Sequence, residues 1–208
     1  MPIKSFPLGP LETNCHVIHS ATHAIVVDAG GNPRPVLKYL EAHKLVVAQI
    51  LVTHLHFDHI YGNAALAAAT GATIYANPED AYLLDTELGR GGAFGLPLVD
   101  SFAWEPILPG DRNVEGMSLR VLATPGHTPG SLSFHIPADA SVIVGDLLFR
   151  RGVGRTDFPG GNTDTLRRSI EEQIFVLPDE TVVYSGHGPH TTVGDEKTNN
   201  PYVGSFTV

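Results

Sequence analysis

The sequence predicts an α/β protein of two β-sheets packed face to face, with helices on the outside. Three observations predict it. Runs of strands followed by a helix occur once in each half of the 208 residues. The strand runs are short, apolar and rich in β-branched residues. Polar residues able to do chemistry fall just after those runs, beside glycines where the chain can turn.

In the first half, CHVIHS (15–20) and HAIVVDAGG (23–31) read as strands. PRPVLKYLEAHK (33–44) has helical spacing at Val36, Leu37, Leu40 and His43, with proline at its start. VVAQILVTH (46–54) is an uninterrupted buried strand, and GNAALAAATG (62–71) a short helix closed by Gly71. ATIYA (72–76) is a strand and NPEDAYLLD (77–85) a helix capped by Asn77. LGRGGAFGLPLVD (88–100) holds four glycines and a proline, so it reads as an irregular loop, either a surface connector or a mobile wall over a site. In the second half SLRVLATPG, SLSFHIP, SVIVGD and TVVYSG are strands. NTDTLRRSIEEQIFVLP (162–178) is the best helix, with Leu166, Ile170, Ile174 and Leu177 on one face. A single domain over 1–208 is expected.

Composition removes several functions. The net charge of −9 argues against binding nucleic acid through its phosphates. One cysteine, Cys15, excludes an internal disulfide framework, and its apolar surroundings mark it as a core residue. The opening stretch carries Pro2, Pro7 and Pro10 and has no long apolar core, so it does not read as a signal peptide. No later segment reads as membrane-spanning, and a cytoplasmic protein is expected.

The chemistry is concentrated in THLHFDHIYG (53–62). Its H-x-H-x-D-H spacing suits a tight loop on which His54, His56, Asp58 and His59 converge. Imidazole and carboxylate together suit a borderline metal: zinc first, with iron or manganese as alternatives. Three more candidates follow strand ends beside glycine: His127, Asp146 and His187. A structural zinc needs four ligands, whereas seven suggest two ions. One would take His54, His56 and His127 and the other Asp58, His59 and His187, with Asp146 between them.

Those motifs carry a resemblance. T-H-L-H-F-D-H (53–59), T-P-G-H-T-P-G (124–130), G-D-L-L-F (145–149), S-G-H-G-P (185–189) and VVDAGG (26–31) resemble the metallo-β-lactamase superfamily from about Leu8 to Pro201. The resemblance implies an αββα sandwich of two mixed sheets, with the seven ligands holding two divalent ions at one edge. TPGHTPGS, GVGRTDFPGG and the closing NPY are most similar to short bacterial glyoxalase II-like hydrolases. That subgroup implies hydrolysis of a small thioester, typically S-D-lactoylglutathione, by a metal-bound hydroxide. Asp58 would ligate a metal and hold the hydroxide proton. Asp28 would hydrogen-bond loop amides beneath the ligands. Arg155 matches a basic residue that contacts glutathione in larger relatives; it could equally pair with Asp157 to fix its loop. Arg150 and Arg151 are not ranked. Where those relatives carry tyrosines, this chain has Asp157 and the pair Gly188, Pro189, so only part of the glutathione contact set is expected. The chain also stops soon after His187, short of the helical domain of those relatives.

Other readings differ in mechanism or class. A persulfide dioxygenase with one iron shares G-R-T-D-F (154–158) but usually continues with glutamine, where this chain has Pro159. Lactonase and β-lactamase are weaker readings; zinc β-lactamases often use a cysteine ligand, and Cys15 is in the wrong place, while a nuclease would show a basic clamp or an inserted substrate domain. A non-enzymatic metal-binding module would not need seven ligands with room for an exchangeable water. His16, His19, His23, His43, His135 and His190 belong to no motif and read as surface or packing residues.

Overall fold

A computed structural model describes residues 1–204, so the last four residues of the expected 1–208 domain lie outside the described residues. The chain divides into two compact units, Met1–Ile107 with Asn113–Met117, and Leu108–Arg112 with the residues from Ser118 onward.

The first unit carries a six-stranded sheet in sequential order: β1 (Ile3–Leu8), β2 (Thr13–His19), β3 (His23–Val27), β4 (Val46–Leu51), β5 (Thr73–Ala76) and β6 (Glu105–Pro106). The first three strands are antiparallel neighbours, and β3 to β6 run parallel. Parallel neighbours need a crossover. Helix α1 (Arg34–Ala42) connects β3 to β4; α2 (Phe57–Ile60) and α3 (Asn63–Thr70) connect β4 to β5. Val36 and Leu40 of α1 join Val17, Val26, Ile50, Leu66 and Ile74 in the core. Helix α3 stops at Gly71, whose φ of 71° suits a residue without Cβ and whose N–H bonds Ala67 O.

The second mixed sheet runs β14 (Thr191–Thr192), β13 (Val182–Ser185), β10 (Ser141–Gly145), β9 (Leu132–Ile136), β8 (Met117–Ala123), β7 (Gly110–Val114). A small ribbon joins β11 (Leu148–Phe149) to β12 (Gly152–Val153). Its helices are α5 (Thr163–Ser169), capped by Asn162, and α6 (Val193–Asn199), capped by Thr192. Leu166, Ile170, Ile174, Val142, Val183 and Val193 form its apolar cluster. The buried Glu196 carboxylate anchors the unit's last segment. It accepts from Arg151 N (2.9 Å), Arg151 Nη1 (2.7 Å), Thr191 Oγ1 (2.6 Å) and Asn200 Nδ2 (2.8 Å). Asn200 also donates to Gly152 O, which gives the asparagine of NPY a structural role.

The elements correct or refine five expectations. Strand β1 was not anticipated, because IKSFPL alternates imperfectly and contains Pro7; at the edge of the sheet proline is tolerated. The histidine stretch is not a loop throughout: Phe57–Ile60 forms one helical turn that carries Asp58 and His59. Residues 78–85 form a 3₁₀ rather than an α-helix, with Asp80 N–H bonding Asn77 O. The stretch 88–100 is partly ordered: α4 (Glu87–Arg90) precedes a Gly91–Leu98 bridge, and Val99 N–H returns to Arg90 O. The long helix ends its α-segment at Ser169 and continues as a π turn over Ile170–Ile174, where Phe175 N–H reaches Ile170 O. That wider turn leaves Ile170 and Ile174 both fully buried. Among the described residues no helix is long and apolar enough to cross a membrane.

Removing the Glu196 carboxylate leaves the Arg151 fork and two buried-side donors without their acceptor. Glu196→Ala is therefore expected to lower unfolding free energy by about 2 kcal/mol, the cost of leaving the buried Thr191 and Asn200 donors without an acceptor. Urea unfolding reads this directly; an unchanged midpoint would show that the network contributes nothing.

Candidate metal centre

In the first unit the site begins at Asp28, just past β3. Asp28 is fully buried and has a φ of 56°, a conformation that aspartate tolerates better than most residues. Its N–H bonds Leu51 O at the end of β4. Its carboxylate takes three hydrogen bonds: Oδ1 from Thr53 N (2.8 Å), Oδ2 from Thr53 Oγ1 (2.7 Å) and from His59 Nδ1 (2.9 Å). A carboxylate in this setting accepts only, so His59 carries its proton on Nδ1 and presents a lone pair at Nε2.

The same logic fixes two further histidines. Thr53 Oγ1 uses its hydrogen on Asp28, so at 3.1 Å it accepts from His54 Nδ1. In the second unit, Arg155 O accepts from His127 Nδ1 at 2.7 Å. All three imidazoles thus carry their proton on Nδ1 and the ring lone pair on Nε2. The rings of His54, His56 and His59 pack together, with centroids 4.7 Å (His54–His56) and 4.1 Å (His54–His59) apart. Asp58 lies beside them; its Oδ2 accepts from Thr13 Oγ1 (3.0 Å) and stands 3.6 Å from His59 Nε2. A Cβ on Gly30 would run into Asp58 O, so glycine lets the backbone close beneath this residue.

In the second unit, a register shift between Ile143 and Gly145 in the β10–β13 pair precedes Asp146. Bulges of this kind re-aim the next side chain. Asp146 Oδ2 lies 3.8 Å from His127 Nε2 and 3.6 Å from His187 Nε2. A Cβ on Gly154 would collide with Asp146 O, so this half also depends on a glycine behind its carboxylate.

These separations fit metal ligands. They exceed hydrogen-bond length. Two ligands about 2.1 Å from a tetrahedral ion lie roughly 3.4 Å apart, close to the 3.6–3.8 Å seen in each unit. The donors are imidazole nitrogens and carboxylate oxygens, the set expected for zinc, iron or manganese.

Arg155 points its guanidinium elsewhere. It forms a two-pronged pair with Asp157, both bonds 2.7 Å, and its Cζ sits 3.7 Å over the Phe158 ring. Hydrogen bonding from Arg155 holds the Asp157 carboxyl down at about 2, so the pair is charged across the neutral range and Asp157 loses its charge only as pH falls through that value. Arg151 is committed to Glu196 and Asp195. Cys15 is fully buried, and burial, then the Asp28 charge, push its thiol well above the usual range, so it is no nucleophile. Sequence reasoning had not singled out Thr13, Thr53 or the Arg155 carbonyl. Thr53 was inside the quoted motif; a backbone carbonyl has no residue-type signature at all.

The chain matches the Metallo-beta-lactamase superfamily model over residues 8–187 and belongs to that superfamily. It is 35% identical, along the full length of both chains, to "Probable metallo-hydrolase YqgX" of Bacillus subtilis. It is 32% identical to "Hydroxyacylglutathione hydrolase GloC" of Haemophilus influenzae, over 99% of each. Among solved structures, a B3 metallo-beta-lactamase, BLEG-1, superposes with a TM-score of 0.91 at 33% identity, covering 97% of this chain and 99% of that one. A di-iron-bound form of TTHA1623 does so at 0.87 and 36%, covering 96% and 99%. The fold class expected from sequence, two mixed sheets with helices in the metallo-β-lactamase fold, is the one observed. The histidines and aspartates are a set compatible with a dinuclear metal site.

Asp28→Asn puts an amide NH₂ against the Thr53 and His59 donors. It is expected to weaken metal affinity about 10–100-fold, the usual cost of losing a partner that orients a ligand histidine. Competition with a chromogenic chelator measures this; wild-type affinity in the variant would remove Asp28 from the metal-binding apparatus.

Proposed function

We propose that the chain, as one domain, is a dinuclear metal-dependent thioester hydrolase of the glyoxalase II type. The observation that carries the dinuclear part is the placement of a single oxygen, Asp146 Oδ2, within 3.8 Å of two histidine nitrogens that would serve different ions. In this reading His54, His56 and His127 form one ligand group and Asp58, His59 and His187 the other. Zinc is the first choice of metal, and the di-iron relative keeps iron open. Support for the thioester comes from GloC, named a hydroxyacylglutathione hydrolase and matched along 99% of its own length.

A bound pair of divalent ions would lower the pKa of water to near 7 and polarise the substrate carbonyl. The protein supplies the rest. Asp58, steadied by Thr13, is assigned to hold the proton of the attacking water. Asp28, Thr53 and the Arg155 carbonyl hold three imidazoles in one tautomer, so none needs to reorient. The thiolate leaves with little acid assistance, because a thiol pKa is about 8.5. Arg155 reaches substrate in this scheme only if it gives up Asp157.

A second reading, β-lactam hydrolysis by the same centre, is favoured by the superposition on BLEG-1. Loading the protein with zinc or with ferrous iron and offering S-D-lactoylglutathione, a β-lactam and a persulfide separates the readings. We expect thiol release without oxygen uptake. Preferential β-lactam opening would promote the second reading, and persulfide-dependent oxygen consumption without thioester cleavage would sink both.

Asp146→Ala and His127→Ala are expected to fall from two bound ions towards one or none, with thioester turnover down at least about 100-fold. Metal analysis beside the assay tests this. Two full equivalents with wild-type turnover in either variant would refute the bridging assignment.

A further inference from the structure

A groove of about 420 Å³ in the first unit is lined by Leu8 and Gly9 on one side and by Asn32, Arg34 and Lys38 on the other. Arg34 and Lys38 stand one turn apart on α1, so both reach the same side of the helix. Neither makes an ion pair within 4.0 Å among the described residues, although acidic side chains outnumber basic ones 22 to 13. The cationic character lies in side chains rather than in the helix end. Asn32 Oδ1 already accepts from Arg34 N, and Pro35 has no N–H to offer. Accepting through its oxygen leaves the Asn32 amide NH₂ as a further donor.

The backbone at one wall of the groove is packed close to the segment that carries Asp58 within this unit. A Cβ on Gly9 would strike Gly30 O, and one on Gly30 would strike Asp58 O. The backbone at the groove's Gly9 wall is thus two layers of close packing from a proposed ligand. A molecule with a reacting carbonyl and a remote anion could touch both regions.

We propose that this groove binds the remote carboxylate of an anionic thioester, with Arg34 and Lys38 as the receiving cations. The proposal rests on the thioester reading and narrows it to substrates whose thiol carrier is anionic, as a peptide-like thiol with free carboxylates is. A chain of net charge −9 repels such a substrate overall. Two uncompensated cations beside the site reverse that field locally, which raises capture of the anion more than the rate of its chemistry. Arg155, held by Asp157, is not needed for this contact.

The test compares wild type with Arg34→Gln/Lys38→Gln, both exposed positions whose change leaves the core untouched. With metal-loaded protein, KM for S-D-lactoylglutathione should rise about tenfold with kcat unchanged, and KM for an uncharged acyl thioester should not move. A second readout does not depend on catalysis. S-methylglutathione, which has no thioester, should shift the amide resonances of residues 7–9 and 32–38 in wild type and not in the double variant. Inorganic phosphate serves as the competing anion: tighter binding of phosphate than of S-methylglutathione would overturn the carboxylate assignment. Absence of those shifts, or an equal KM change for charged and uncharged thioesters, would overturn the groove itself. Shifts without any thioester cleavage would instead uphold the groove and remove the hydrolase reading.

Discussion

The buried Asp28 carboxylate organises the candidate ligands of the first unit. An ionised carboxylate with no exposure is costly unless its lone pairs are filled. Here one backbone amide, one hydroxyl and one imidazole fill them. Each bond has a consequence further out. The Thr53 amide bond fixes the exit of the chain from β4. The Thr53 hydroxyl, by donating to Asp28, is left to accept from His54. The His59 bond sets that ring's tautomer. One charge therefore decides which nitrogen two neighbouring imidazoles present, before any metal arrives.

The second unit orients its histidine by different means. His127 is oriented by a main-chain carbonyl rather than by a carboxylate. That carbonyl belongs to Arg155, whose side chain is pinned by Asp157 and Phe158. The loop is held from outside by an exposed ion pair, in contrast to the buried anion of the first half. Exposed pairs contribute little to stability, about 0–1 kcal/mol. Their geometric effect can still matter, because a two-pronged guanidinium–carboxylate pair fixes direction as well as distance. In both halves a glycine lies where the backbone must pass close behind a carboxylate, at Gly30 and at Gly154. The G of VVDAGG and of GVGRTDF is thus explained by space.

What the sequence made legible follows from what residue type can encode. The seven ligand candidates were visible because imidazoles and carboxylates clustered beside glycines are rare without a task. Long apolar strands such as β4 and β10 were visible from β-branched runs. Strand β1 was not, because an edge strand needs neither alternation nor a free N–H at every position. Helix α6 was not, because VGDEKTN has no apolar face; its Thr192 cap and the Glu196 network hold it instead. The tautomer-setting contacts were hidden for another reason. Asp28 to His59 spans 31 positions and His127 to Arg155 spans 28, so only the fold brings them together.

Charge ties these features to substrate choice. The candidate ligands suit cations, and the chain as a whole is acidic, with a net charge of −9. An anionic substrate therefore meets an unfavourable field until it reaches a place where cations are not already spent. Three of the basic side chains are committed to carboxylates: Arg151 to Glu196 and Asp195, Arg155 to Asp157, Lys197 to Asp179. Among the described residues Arg34 and Lys38 make no such pair, and they line the same groove. Screening strengthens the distinction. At physiological salt the diffuse repulsion of distant carboxylates fades within about 8 Å, whereas a carboxylate in direct contact with a guanidinium keeps most of its attraction. The short-range pair can then outweigh the long-range charge.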